Sequence, residues 1–413
     1  MKQTFTNLFI FNFLWIISTL QAATQQMADC HFHMLNFLQN GEFDNSDGKY
    51  PANSNGVMED GRFFQIPAGE RHRRITGLLK IVEAHHLEDV IVCGMPFVKK
   101  WAENEFFQRP KYYLDSTSRV VPARDSDLAV AAAFHDFYQK YGNDTQMMHA
   151  AAKVHPFICA LDTTDLGAVD LAVKRIREYP GIWEGMGELM SRHDDLTNLT
   201  AGERPRGNHS SLIRLFKFAD LVSLPISIHH NVAPISRSEK EIKSPLYLGE
   251  FRDLLKRTID DEPSQSNRPT VIWCHSGISR RLVISDYHNV LREILEQYST
   301  YLFMDISWVV LETYIYENLD TWVELIEDYP NNFIVGSDAV GSYSSIPFEM
   351  RRYTLLLDSL SPITKEKIAH KNLAAILNGE RNKRTQKGFG IGGITLPEDF
   401  QIPDTFGLDH LHY

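Results

Sequence analysis

The residues able to do chemistry in this chain stand at the ends of apolar runs. The first run closes with Asp29-Cys30-His31-Phe32-His33. Residues two apart on a strand share a face, so His31 and His33 are expected to point into one interior, with Asp29 below them. A strand rise of about 6–7 Å separates the two imidazoles, a spacing that suits joint binding of one divalent cation. A pair of histidines decides little in a chain that holds 17. Three later runs, however, end the same way: Ile228-His229-His230-Asn231, Trp273-Cys274-His275-Ser276-Gly277 and Val335-Gly336-Ser337-Asp338. Each such group would cost roughly several kcal/mol to bury unpaired. One shared metal ion gives all of them a common purpose.

The elements that must position these groups follow from the hydrophobic pattern. Eight short apolar runs are expected as strands: Met27–His33, Asp89–Pro96, Val154–Leu161, Gly181–Leu189, Pro225–His230, Thr270–Gly277, Tyr301–Trp308 and Asn332–Ala339. Several are hydrophobic without alternation, as parallel strands covered on both faces are. Between them lie segments of helical periodicity, among them Arg71–His86, Ser126–Tyr141, Ala168–Tyr179, Ser211–Val222, Leu246–Asp261, Asp286–Gln297, Leu311–Tyr329 and Phe348–Ser359. Strand and helix alternating eight times predict an α/β fold, a (β/α)8 TIM barrel over residues 23–379 as a single domain. A doubly wound open sheet competes, but no glycine-rich dinucleotide fingerprint follows an early strand. After a last helix at Thr364–Asn378, residues 380–413 are expected to form an extended C-terminal tail. Three long connections, Asn40–Glu70, Val98–Asp125 and Ser191–Ser210, follow strands. They therefore belong to the barrel face where such folds build their sites.

With the strands placed, the motifs acquire a family likeness. Asp-x-His-x-His on the first strand, single histidines on the fifth and sixth, and an aspartate on the eighth resemble the amidohydrolase superfamily. The likeness is to its amidohydrolase-2 branch, the metal-dependent hydrolases of the TIM-barrel fold. Gly185-Met186-Gly187-Glu188, Met304-Asp305-Ile306-Ser307 and Ala369-His370-Lys371-Asn372 extend it over most of residues 27–378. The resemblance implies that His31, His33 and His229 ligate the metal, with Asp338 completing the site. It implies that Asp338 also takes a proton from the metal-activated water, and that His275 orients this water or polarises the substrate. Zinc can lower the pKa of bound water to about 7, which makes such chemistry workable near neutral pH. Pro225 stands four places before His229, as in the family's fifth strand, so His229 is preferred to His230; the latter is left to substrate contact or to capping the strand. Glu188 stands where two-metal relatives carry a bridging group. One divalent ion is expected, zinc first with manganese or iron as alternatives, and a second only through Glu188. Arg280 and Arg281 can grip an anionic substrate group or simply start a helix. Asp305 is expected to orient a ligand histidine. His85, His86, His155 and His193 are read as structural. The expected activity is hydrolysis of an amide, ester or lactone bond in a small molecule. Decarboxylation by the same site is the alternative, and a non-catalytic ligand-binding barrel stands behind both.

Composition bounds the partners and the compartment. Hydrophobic residues at 43% and charged residues at 23% exclude a disordered chain and a multi-span membrane protein. Lys+Arg at 42 against Asp+Glu at 53 gives a net charge of −11, which argues against nucleic acid as a partner. Residues 1–22 read as a secretory signal peptide: Lys2, an apolar run from Leu8 to Leu20, then small residues at Ala22 and Ala23. The run is shorter than the about 20 residues a membrane span needs. The chain is therefore expected to be exported, periplasmic or secreted, with no membrane attachment once the signal is removed. An uncleaved anchor is the alternative. Cys30, Cys93, Cys159 and Cys274 lie within apolar runs and are expected as buried free thiols rather than disulfides. Asn143, Asn198 and Asn208 match the glycosylation acceptor pattern. The family likeness is compatible with a homodimer.

Overall fold

The computed structural model describes residues 25–34, 69–96, 126–193, 205–235, 243–262, 268–280 and 282–403. The expected signal peptide, Arg281, Asn198, most of the first two long connections and residues 404–413 lie outside the described residues.

Every expected strand forms at its expected place. They are β1 (Met27–His33), β2 (Leu87–Cys93), β3 (Val154–Ile158), β4 (Gly185–Met190), β5 (Ile226–His229), β6 (Val271–Trp273) and β7 (Leu302–Asp305). The eighth run is split into β8 (Phe333–Ile334) and β9 (Ala339–Val340). All neighbours pair in parallel, in the order β8-β7-β6-β5-β4-β3-β2-β1-β9. Because β8 and β9 belong to one run, and Val335 O between them accepts from the Cys30 amide of β1 at 3.0 Å, the sheet closes on itself as a TIM barrel.

Alternation along each strand sorts its side chains into two cores. On β2, Val90 and Val92 face the surrounding helices, while Ile91 and Cys93 face the barrel interior with Phe157, Cys159, Ile272 and Ile334. β1 departs from strict alternation. Ala28 and Cys30 join the interior cluster, and Phe32 joins the outer one. The pairing register with β2 shifts between Asp29 and Phe32. This irregularity lets His31 and His33 turn into the site although Cys30 already points inward. It sends the Asp29 carboxylate sideways, toward the eighth strand, rather than below the two histidines. All four cysteines are buried and free.

The helix at Ser126–Tyr141 keeps its expected bounds. A short helix at Thr145–Ala151, not foreseen in the periodicity, is capped by Asp144, which accepts from the Gln146 and Met147 amides at 3.0 Å. The last helix, Asn372–Gln386, runs past the expected end at Asn378. Leu373, Ile376 and Leu377 pack on the interior cluster, and Asn372 Nδ2 donates to Pro330 O and Phe333 O at 2.9 and 2.8 Å. The chain then returns beneath the barrel, where Ile394 N donates to Trp183 O at 2.7 Å and Gly181 N to Ile394 O at 2.8 Å. Among the described residues no helix is long and apolar enough to cross a membrane.

At this lower end His155 is buried between two carboxylates. Its Nε2 lies 2.8 Å from Asp89 Oδ1 and its Nδ1 3.3 Å from Glu184 Oε2, with Arg381 Nη2 donating to Glu184 at 2.8 Å. Burial opposes the imidazolium, but Glu184 and the bond to Asp89 outweigh it and raise the His155 pKa to about 9. Burial likewise opposes the Glu184 charge, and His155 and Arg381 hold that carboxyl down to about 2. A histidine whose pKa rises on folding stabilises the native state fully below its unfolded pKa of about 6.5. That contribution, on the order of 3 kcal/mol, fades as pH climbs through 9. Denaturant unfolding of the native chain is therefore expected to show stability falling between pH 6.5 and 9. His155→Gln should start less stable and show a flatter profile over that range; an equal slope in both chains would remove His155 as the cause.

Candidate metal centre

Among the described residues, eight groups converge at the C-terminal ends of the strands. β1 brings His31 and His33, β4 Glu188, β5 His229, β6 His275, β7 Asp305 and Ser307, and the segment between β8 and β9 brings Asp338. All but Asp338 are almost fully buried. A cavity of about 160 Å³ opens above them, walled by Met95, Pro96, Met190, His193 and Trp308 with Arg280 at its rim.

The centre is the pair His31 and His33, whose Nε2 atoms lie 3.1 Å apart. The opposite nitrogens fix the tautomers. His33 Nδ1 is 2.8 Å from Gly94 O, which can only accept. His31 Nδ1 is 2.8 Å from Asp305 Oδ2. Burial opposes the Asp305 charge, but the bond from His31 and its charge hold that carboxyl down to about 2, so it too accepts. Both Nδ1 atoms therefore carry a proton, and the two Nε2 atoms face each other as the positions open to a shared proton or cation. Two lone pairs at that distance repel unless a proton or a cation stands between them.

Carboxylates complete the set. Glu188 Oε2 lies 3.7 Å from His31 Nε2 and 3.5 Å from His33 Nε2, and Asp338 Oδ1 lies 3.6 Å from each. Tetrahedral zinc with bonds of about 2.0–2.2 Å needs ligand atoms roughly 3.3–3.6 Å apart. The histidine–histidine and histidine–carboxylate distances sit close to that spacing, so the residues present fit a divalent ion. Burial opposes charge on His31, yet Glu188 and Asp338 raise its pKa well above the ordinary value. Burial also opposes charge on Glu188, and His31 with the bond from His229 holds that carboxyl well below its usual range. This is a pocket built to attract positive charge.

The sequence-derived candidates divide accordingly. His31, His33, Glu188 and Asp338 gather around one point. His275 closes the far side: its Nδ1 lies 2.9 Å from Ser307 Oγ, and its Nε2 lies 3.7 Å from Glu188 Oε1 and 3.9 Å from Asp338 Oδ2. His229 lines the cavity, but its nitrogens face Glu188 Oε1 at 2.8 Å and Asn231 Oδ1 at 3.0 Å instead of the His31–His33 pair. It thereby holds Glu188 in position. His230 is a correction. It does not line the cavity, because its neighbour His229 takes the inward face; it is buried outside the barrel wall, with Nε2 3.0 Å from Tyr247 O, Nδ1 3.1 Å from Ser191 Oγ, and its ring stacked on Phe251. Burial lowers its pKa to about 4. Arg280 lies 5.2 Å above the Trp308 ring centroid, where a cation is held against an aromatic face.

Two residues were missed. His193, read as a loop residue, is buried with its ring 4.2 Å from that of His229. Trp308 faces His275 at 5.0 Å and carried no motif signal. One further feature was invisible in sequence. His275 (φ 52°), Ser276 (φ 49°), Trp308 (φ 60°) and Asp338 (φ 47°) all hold left-handed backbone conformations that L-residues rarely adopt. They crowd the ends of three consecutive strands, as strained residues do around binding sites.

No protein-family model matches the sequence, and no curated protein matches it. Solved structures do. 2,6-Dihydroxybenzoate decarboxylase from Rhizobium is similar at 10% identity and TM-score 0.46, over 86% of this chain and 100% of that one. A dihydroxybenzoic acid decarboxylase from Polaromonas with bound manganese is similar at 13% identity and TM-score 0.45, over 86% and 97%. A putative amidohydrolase from Staphylococcus aureus is similar at 13% identity and TM-score 0.41, over 73% and 90%. The resemblance of this chain to the amidohydrolase superfamily rests on its own motifs, its closed barrel and the histidines and carboxylates gathered at one end of it.

Proposed function

We propose that this chain is a divalent-metal-dependent enzyme that hydrolyses a small anionic molecule. The observation that carries this reading is the pair of Nε2 atoms at 3.1 Å, flanked by two carboxylates at ligand spacing. His31, His33, Glu188 and Asp338 would hold the ion. A divalent ion there supplies Lewis acidity and makes nearby water acidic enough to act near neutral pH. The chain's own groups do the rest. Asp338 turns Oδ1 to the histidine pair and Oδ2 toward His275, so Oδ2 is the atom placed to take and return a proton. Ser307 holds His275 with Nε2 toward the reacting space. Arg280 holds the substrate's anionic group beside the Trp308 face. We also propose that the chain acts after export; finding it full-length in a cytosolic fraction would overturn that point.

Decarboxylation is the second reading. A small cavity with an aromatic wall and a guanidinium at its rim suits a planar aromatic acid, and cleaving its C–C bond requires no attacking water. The test uses the zinc- or manganese-loaded chain with esters, lactones, N-acyl amino acids and aromatic acids in ¹⁸O-water. Label in the organic product selects hydrolysis, and CO₂ release with an unlabelled organic product selects decarboxylation. Arg280→Met should raise KM for anionic substrates roughly ten- to hundredfold, the worth of a charge-assisted hydrogen bond. Metal bound with neither product formed would reduce the chain to a binding module.

A further inference from the structure

The eighth strand is interrupted where it carries Asp338, and the structure shows what holds the interruption in place. Asp29 is fully buried, and its carboxylate accepts three hydrogen bonds from two strands. Oδ1 accepts from the His31 amide at 3.1 Å and from the Ser337 amide at 2.8 Å; Oδ2 accepts from Ser337 Oγ at 2.6 Å. Ser337 Oγ in turn accepts from the Ala339 amide at 3.1 Å, and the Asp338 amide donates to His31 O at 2.8 Å. Gly336 makes the approach possible: a Cβ there would meet Cys30 Sγ at 2.9 Å and His31 Cβ at 3.1 Å. The carboxylate is thus tied to the residue that precedes Asp338 and to the backbone of His31 itself.

We propose that Asp29 and Ser337 form a clasp that sets the position of the Asp338 carboxylate against the His31–His33 pair, making both positioning residues of the metal centre. The clasp rests on the metal-centre reading. Asp338 has φ 47°, a conformation that persists only when its surroundings impose it. Bonds on either side of it, at Ser337 and Ala339, do so. Releasing them lets residues 337–339 relax toward ordinary strand geometry and moves Asp338 Oδ1 away from the 3.6 Å contacts it makes with both histidines. Asp29→Asn removes the carboxylate's charge and makes one of its two accepting atoms a donor, so Ser337 Oγ loses its charged acceptor and is left to donate to His31 O at 3.1 Å. Ser337→Ala keeps Asp29 and removes only the hydroxyl link.

The test measures zinc affinity of the full chain by chelator competition, and the visible spectrum of its cobalt(II) form, which reports ligand geometry. Asp29→Asn is expected to lose affinity about ten- to hundredfold, in line with other groups that orient metal ligands, and to change the cobalt spectrum. Ser337→Ala should move both in the same direction by less, and it remains the test should Asp29→Asn not fold. Asp127→Asn is the control. Asp127 is also a buried carboxylate, accepting from the Cys159 and Ala160 amides at 2.9 and 3.0 Å, but it does not touch the centre. It should lower stability and leave affinity and spectrum alone. Folded Ser337→Ala and Asp29→Asn chains with native affinity and an unchanged spectrum would overturn the clasp while leaving the metal centre standing. A native chain that binds neither ion would overturn both.

Discussion

A His33→Ala chain is expected to hold no stoichiometric metal and to lose turnover by roughly a thousandfold or more, since in the proposed reaction the ion would supply the Lewis acidity. The expectation comes from the arrangement of the donors. His33 Nε2 lies 3.1 Å from His31 Nε2 and about equally far from one oxygen each of Glu188 and Asp338. Removing it takes away a neutral donor from the middle of the set and leaves two carboxylates opposing one imidazole. Elemental analysis after dialysis against zinc reads the loss directly. Thermal unfolding gives a second measure. An ion present at 100 times its Kd stabilises a native state by about 2.7 kcal/mol. Zinc should raise the melting temperature of the native chain and leave that of His33→Ala where it was. Equal metal content in both chains would dismantle the proposed centre.

The second large effect belongs to Asp338. Asp338→Asn is expected to cut kcat by about 10²–10⁴, the range that a positioned acid–base group contributes, with the metal largely retained. Asparagine suits this experiment because it tolerates the left-handed backbone that residue 338 occupies. The amide keeps an oxygen to present to the histidine pair but cannot accept the proton. Steady-state kinetics alongside metal analysis separate the two roles. A variant with full metal and kcat within threefold of native would take proton transfer away from Asp338.

Much of this was legible in the residues. Continuous runs such as Asp89–Pro96 and Asn332–Ala339 marked buried parallel strands, and their polar ends marked the site, because a barrel interior leaves ionisable groups nowhere else to gather. Strict alternation failed on β1. There the register shift between Asp29 and Phe32 moved Asp29 from beneath the histidines to the eighth strand, and no local pattern encodes a shift imposed by a neighbour. The Pro225-to-His229 spacing of the family resemblance, not alternation, chose His229 over His230, and His229 is the one that lines the cavity. That spacing could not say which nitrogen of His229 would meet which partner, since Glu188 is 41 residues away in the chain. Trp308 and His193 were invisible for a related reason. They lie past their strands, in segments whose path is set by what they pack against.

The four left-handed residues around the cavity bear on how this chain could be engineered. Each stores strain of the order of 1 kcal/mol or more, so the upper rim of β6 to β9 is where the molecule gives up stability for shape. Replacing Ser276 (φ 49°) by glycine would relieve part of that strain, and a screen for heat resistance would collect such changes readily. A screen for turnover would discard those that let His275 or Asp338 drift. Stabilising substitutions in this barrel are better sought at its lower end and in its outer helical layer, where heat resistance and catalysis do not compete for the same residues.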